Sequence, residues 1–405
     1  MKVQRALKVR LYPNETQRVL LLKTFGCCRF IYNAMLSEHK EIYEKLKNDK
    51  RSLYEYDYKT EKQYKAEYPW LSEVDSTSLQ QARIDLSHAY QNFFRRLKDP
   101  KIPSSEKGFP KFKRRNARNS YRTPQNGGVL KINFEERKIK LPKLGWVSFR
   151  DPRVLENYKI NSITVSKTKT DKFYASVQYE VDVEEPKQVD PKAKGLKVKG
   201  LDMSLTNFFV DDEGNSPLYH RNYRENEKKL SSLQSRLDKT TRKNDKKKLR
   251  MRINRIQEHI ANRRKDFIEK LSHELTRDND VIVVESLSLK DIAKFRYGKS
   301  VFDCAWGMFL LRLKQKAQER GKIVIQADKW FASSKTCHIC GYKNNDLSVE
   351  NRVWICPKCG MEHDRDQNAG INLKNYGLEI LTAGTVGFAA PDKSGTESQG
   401  SLVLG

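Results

Sequence analysis

The chain has 405 residues, enough for about two to four domains, and its 37% hydrophobic and 32% charged content excludes a wholly disordered polypeptide. Lys plus Arg number 79 against 51 Asp plus Glu; the net charge of +28 is spread over nearly every segment and implies a long polyanionic partner such as nucleic acid. The basic, alternating first ten residues are not a signal peptide, the apolar runs read as too short to span a bilayer, and the seven cysteines fit a reducing compartment.

Residues 5–12 alternate Leu7, Val9 and Leu11 with basic residues, which predicts a strand ended by Pro13. Asn14 and Gln17 are spaced as a capping box for a helix carrying Val19, Leu20, Leu22 and Phe25. Gly26 is read as a break, with a second helical stretch running to about residue 47. Residues 49–75 are polar and rich in tyrosine (Tyr54, Tyr56, Tyr58, Tyr64, Tyr68), suited either to stacking on bases or to packing between helices. Residues 76–97 place Leu79, Ala82, Leu86, Ala89, Phe93 and Leu97 at helical spacing, as core positions.

A basic loop with interleaved aromatics follows, framed by Gly108 and Pro110. Its Lys111, Lys113, Arg114 and Arg115, with Tyr121 and Arg122 beyond it, are candidate nucleic-acid contacts; the alternative is a solvated charged face. From 129 to 183 the hydrophobic period becomes two, with turn residues between the runs, which predicts an antiparallel β-barrel completed by the N-terminal strand. Residues 184–195 read as a linker.

The second half reads as an α/β nuclease. Residues 196–203 form an apolar strand carrying Asp202, paired as a hairpin with 207–210. Residues 222–276 predict two antiparallel charged helices joined near 239–246. The run Val281-Ile282-Val283-Val284 predicts a strand buried on both faces, with Glu285 at its carboxyl end. A helix near 306–320 and a strand at 323–325 come next. Cys27, Cys28 and Cys304, in apolar surroundings, read as plain core thiols.

Two Cys-x-x-Cys knuckles, Cys337/Cys340 and Cys356/Cys359, are separated by fifteen residues, the spacing of a four-thiolate zinc ribbon. Gly341 and Gly360 directly follow the knuckles, where tight turns bring backbone N–H groups to the sulfurs. Asp366 then opens a helix running past Leu373. Asp202, Glu285 and Asp366 are each poorly explained by packing. Converging on one sheet edge, they would bind two Mg²⁺ or Mn²⁺ ions for phosphodiester hydrolysis. Taken singly, Asp366 could be a helix N-cap and Glu285 a lysine partner.

Residues 8–14 (Lys-Val-Arg-Leu-Tyr-Pro-Asn), 108–113 (Gly-Phe-Pro-Lys-Phe-Lys), 141–147 (Leu-Pro-Lys-Leu-Gly-Trp-Val), 333–337 (Ser-Ser-Lys-Thr-Cys) and 363–369 (His-Asp-Arg-Asp-Gln-Asn-Ala) resemble the TnpB family of transposon-encoded RNA-guided DNA endonucleases, related to compact type V CRISPR effectors. The resemblance implies an α+β multidomain chain: a β-barrel wedge domain (1–13 and 124–186), an inserted helical recognition domain (14–123), an RNase H-like RuvC nuclease (195–331 and 362–380) and an embedded zinc ribbon (332–361). The tail, 381–405, lacks periodicity and reads as disordered. The resemblance implies Asp202, Glu285 and Asp366 as the RuvC acids, with Asp366 preferred to Asp364 because the family acid immediately precedes the x-Asn-Ala step. It implies structural Zn²⁺, a guide RNA from the transposon end, double-stranded target DNA, one protein per guide, and a cytoplasmic, nucleoid-associated setting in a bacterial or archaeal cell, with no membrane partner. Ser204 stands where the family usually has Gly, Ser286 where Asp or Asn is usual, and Gly370 where Ala is common. Two other readings share the triad: a transposase acting without guide RNA, and a guided repressor that does not cut.

Overall fold

A computed structural model describes residues 1–115, 119–286, 304–348 and 350–383; the tail expected to be disordered lies outside them from 384 on. Contacts divide the chain into a unit of residues 1–184 and a second unit from 185.

The first unit is built on strands β1 (Lys2–Tyr12), β2 (Asn119–Pro124), β3 (Lys131–Asn133), β4 (Lys138–Leu141), β5 (Gly145–Arg150), β6 (Tyr158–Lys167) and β7 (Phe173–Asp182). Their ladder order is β2-β6-β7-β1-β5-β4-β3, so the N-terminal strand does complete the sheet, from its centre. Leu7, Val9 and Leu11 point into the core as the alternation predicts. β2 and β3 end the order, so these ladders make a curled sheet and do not themselves close the expected barrel.

Helix α1 (Glu15–Leu46) starts at the predicted capping box, with Asn14 and Gln17 exchanging side-chain and backbone hydrogen bonds. It runs unbroken through Gly26, contrary to the expected interruption. A mid-helix glycine costs about 1 kcal/mol, which burial of Leu21, Phe25, Ile31 and Leu36 offsets. Contrary to the reading of the apolar runs, α1 is long and apolar enough to cross a membrane by length and composition; half of its most apolar window is buried inside the fold. After α2 (Lys50–Glu55) and α3 (Glu61–Glu67), helix α4 (Ser76–Lys98) buries Leu79, Ala82 and Leu86. Phe93 is only half-buried and Leu97 is exposed, so the core face fades along α4. The tyrosine-rich stretch largely packs on the fold: Tyr58 stacks on His39 and the Tyr64 hydroxyl donates to Glu38 at 2.8 Å.

The second unit holds β8 (Val198–Ser204), β9 (Phe208–Asp211), α5 (Asn222–Lys239), α6 (Lys243–Asp278), β10 (Val281–Val284), α7 (Trp306–Glu319), β11 (Ile323–Gln326), β12 (Val353–Ile355), β13 (Glu362–Asp364) and α8 (Arg365–Ala383). β8, β10 and β11 are parallel neighbours and β9 is an antiparallel edge, in the order β11-β10-β8-β9. Every residue of β10 is wholly buried, as its apolar run predicts. One face of the sheet packs Leu201, Met203, Ile282 and Val284 against α6 and α7 through Leu271, Trp306 and Phe309. The other packs Val198, Val281 and Val283 against Leu373 of α8.

α8 approaches that second face at glycine contacts. A Cβ on Gly200 would lie 2.0 Å from the Gly370 oxygen, and one on Gly370 would lie 2.8 Å from the Asp211 carbonyl. This is a steric reason for Gly370 where the family pattern has Ala. α5 and α6 share a separate seam of Leu230, Leu233, Leu249, Ile253 and Ile260, as predicted.

Candidate active site and metal centre

Side-chain alternation places two of the three acids. Val198, Gly200 and Asp202 share one face of β8; Val281, Val283 and the following Glu285 share the same face of β10. Because the strands are parallel and Leu201 pairs with Val284, Asp202 and Glu285 leave the sheet side by side at its carboxyl edge. That face is covered by α8, and Gly370 touches Gly200. Asp366, one turn earlier in α8, is thereby carried toward Asp202.

The electrostatics agree with this placement. Asp202 stays partly exposed, yet the surrounding atoms desolvate its carboxylate; that burial, then repulsion from Glu285, then from Asp366, hold its pKa well above the usual carboxylate range. Arg365 and Arg352 oppose the shift. Burial also raises Glu285, with Arg365 opposing.

The structure separates the two aspartates at the start of α8. Asp364 is the cap: its Oδ1 accepts from the N–H groups of Asp366 at 3.0 Å and Gln367 at 2.9 Å. Asp366 does not cap; Arg352 donates to its two oxygens at 3.0 and 2.8 Å. The nearby acids Asp211, Asp212 and Glu213 are already paired, with Lys199, and Asp212 also with Lys374 at 2.7 Å. Ser204, buried, accepts from the N–H groups of Thr206 and Asn207, so its hydroxyl serves the β8–β9 turn.

The cysteine knuckles meet in space. The sulfurs of Cys337, Cys340, Cys356 and Cys359 all lie within 4.8 Å of one another, with Cys337 to Cys359 at 3.7 Å and Cys340 to Cys356 at 3.5 Å. Tetrahedral Zn–S bonds of about 2.3 Å need sulfurs roughly 3.8 Å apart, so the donor set fits zinc. Gly341 and Gly360 have φ of 72° and 71°, the left-handed turns the sequence predicts. Among the described residues this is the only group of three or more such ligand atoms so close together; the three carboxylates are not drawn in as tightly.

Sequence reasoning missed the groups that fasten the ribbon. His363 Nε2 lies 3.1 Å from the Cys337 sulfur. Asn368 accepts from the His338 N–H at 3.1 Å and donates to the Thr336 carbonyl at 2.8 Å, while Asn372 donates to the Ser333 and Thr336 carbonyls. The signal was present: two asparagines four residues apart lie on one helix face.

The basic-loop candidates divide. Tyr121 is buried, its ring 5.6 Å from that of Phe25, and cannot offer a face to a base. Arg122 donates to Ser162 and Gln178 across the sheet. Lys113 sits over the Tyr32 ring and pairs with Asp85 at 3.5 Å. Lys111, Arg114 and Arg115 are exposed. Arg115 lines a crevice of about 410 Å³ with Arg29 and Lys167, neither of which was singled out from sequence.

A sheet of this order with a four-cysteine ribbon inserted before α8 is similar in fold to a solved compact Cas12 protein. Over 92% of this chain and 99% of that one it superposes on the Cas12f1 of a Cas12f1–sgRNA–target DNA complex, with a TM-score of 0.51 at 15% identity. Family profiles match residues 306–373 (Cas12f1-like, TNB domain), 176–296 (Probable transposase) and 1–48 (Helix-turn-helix domain). Residues 1–48 in fact hold one strand and one long helix, with no helix-turn-helix. Two relatives are described as "Putative RNA-guided DNA endonuclease": one of Streptomyces pristinaespiralis, 29% identical over 95% of this chain and 92% of its own length, and InsQ of Escherichia coli K12, 28% identical over 95% of each. Over most of its length the chain resembles the TnpB family.

Proposed function

We propose that the protein is an RNA-guided DNA endonuclease of a transposable element, with one RuvC-type site built from Asp202, Glu285 and Asp366. The observation that carries this reading is Asp202 and Glu285 side by side at the carboxyl edge of a parallel sheet, where substrates of such sheets gather, with burial and then repulsion from Glu285 and Asp366 raising the Asp202 pKa. A buried carboxylate such as Asp202, repelled by its acidic neighbours, is one a divalent cation would relieve, and the all-oxygen donor set suits Mg²⁺ or Mn²⁺. Two such ions, when bound, would activate water and steady the leaving 3′ oxygen. The chain's own part is to aim Asp202 and Glu285 from adjacent strand ends and to bring Asp366 in on α8. Asp364 caps that helix and so leaves Asp366 free of the role.

The four-thiolate ribbon would hold zinc as a structural element. Residues 14–123 and the curled sheet (1–13 and 124–186) would grip a guide RNA and the heteroduplex it forms by backbone and A-form shape, and binding would weaken steeply with salt. The protein would read a short motif beside the target before the guide pairs. It would act as one copy per guide in the cytoplasm, at the nucleoid.

The test is to purify the protein from cells carrying its native flanking DNA, sequence the bound RNA, and incubate the complex with a plasmid library in Mg²⁺. Guide-dependent double-strand cuts, abolished by Asp366→Ala, are expected. Bound RNA without cutting would favour a guided repressor, and absence of RNA would return a guide-independent transposase.

A further inference from the structure

We propose that Trp330 is a stacking platform for an unpaired base of the DNA strand delivered to the carboxylate edge, an inference that rests on the endonuclease reading. Of the five tryptophans Trp330 is the most exposed, at 82%, while Trp306 and Trp354 are buried. Its place in the fold gives the exposure meaning. β10 and β11 are parallel, Val284 pairs with Gln326, and the Ala327 N–H donates to the Val284 carbonyl at 2.9 Å. The chain therefore leaves β11 beside Glu285. Trp330 follows Ala327 by three residues, at most about 11 Å of extended chain.

The segment carrying it is fixed. Phe331 N–H donates to the Asp328 carbonyl at 3.1 Å, closing a turn, and the Trp330 N–H donates to Asp328 Oδ1 at 2.8 Å. The Asp328 N–H donates to the Tyr376 hydroxyl at 3.2 Å, and the Phe331 ring packs on Tyr376 of α8 at 4.7 Å. The turn thus anchors one aromatic ring inward on α8 and projects the next outward. Lys329 Nζ lies over one face of the Trp330 ring, 5.2 Å from its centroid, a mobile cation within reach of the phosphate of a nucleotide stacked on the indole. A rigid indole with a neighbouring ammonium, at the mouth of a phosphodiester site, is the combination that holds single-stranded nucleic acid with little regard to sequence. No base-edge donor is needed, since every base has a π-face.

The experiment uses the full chain with its guide RNA and a short oligodeoxythymidine carrying one 2-aminopurine, with Ca²⁺ in place of Mg²⁺ to hold off hydrolysis. Wild type should quench the probe; Trp330→Ala should lose the quench and bind about tenfold more weakly, and Trp330→Phe should keep most of both. In Mg²⁺, Trp330→Ala should raise KM for a guide-matched target duplex with kcat nearly unchanged, at unaltered zinc content and thermal midpoint. Trp330→Ala that quenches and cuts like wild type overturns the platform and leaves the endonuclease reading intact. Wild type that quenches through Trp330 but does not cut a guide-matched target duplex in Mg²⁺ supports the platform and overturns the endonuclease. Wild type that neither binds nor cuts overturns both. Oligouridine displacing the probe at equal concentration overturns DNA as the occupant, and lost zinc or a fallen midpoint in Trp330→Ala overturns the platform in favour of a structural role.

Discussion

The second unit carries two ligand sets that solve opposite electrostatic problems. The four cysteines of the ribbon stand with their sulfurs within 4.8 Å of one another, while the three carboxylates are not drawn in as tightly, and burial, then Glu285 and Asp366, raise the pKa of Asp202. Thiols are neutral until a metal or a set of N–H donors draws off the proton, so they can be packed together by local turns alone. Carboxylates are charged at neutral pH, and bringing three to one desolvated edge works against folding. The first arrangement holds shape; the second stores an unmet demand for cations, with Arg352 meeting part of it at Asp366.

The largest expected break comes on the ribbon side. Replacing Cys356 and Cys359 together by Ser should abolish zinc binding, whose free energy in such sites is of order 10 kcal/mol, and unfold residues 337–363. Metal analysis and hydrogen exchange over that stretch would read it, and protection equal to wild type would count against a metal-built ribbon. On the side of the acids, Gly370→Ala should push α8 off the sheet and cost about 1–3 kcal/mol, read as a fall in thermal midpoint. An unchanged midpoint would mean the close approach of Gly370 to the Asp211 carbonyl is looser than described.

Asp202→Asn sharpens the contrast through pH. The folded carboxyl has a raised pKa, whereas the unfolded one titrates near the model-peptide value of about 3.9. Below the unfolded value both states are protonated and the carboxyl imposes no penalty. As pH rises through the folded value, the native state must carry the charge and loses stability. Without divalent ions, Asp202→Asn should therefore raise the midpoint at neutral pH, with the gain vanishing in acid. A gain that does not depend on pH would refute the raised pKa of Asp202. The smallest effect belongs to Arg352→Ala. Its side chain is 59% exposed, so losing the pair with Asp366 should cost at most about 1 kcal/mol, while the metal-free carboxylates become harder to hold together. A collapse of the fold in this variant would make Arg352 a structural residue.

Much of this was legible because it is local. Capping residues fourteen and seventeen, the period-two strands, the all-apolar β10 and the two knuckles each need only neighbours in sequence. Reading failed where a distant partner decides. Gly26 is punctuation in sequence, yet the helix passes through it because its apolar face is buried. The strands predicted a closed barrel, but closure depends on whether β2 and β3 meet, and in these ladders they end the sheet.

By itself, then, the sequence determined which residue types could hold zinc and which acids stood where packing does not explain them. Spacing along the chain and the period of a strand are properties of adjacent residues. The tertiary structure alone decided that Asp364 caps α8 while Asp366 faces Arg352, that Tyr121 turns inward against Phe25, and that Gly370 must lack a side chain. Each of those outcomes is set by which atoms arrive from elsewhere in the chain. That follows from how helices and sheets pack, at contact distances that no local pattern encodes.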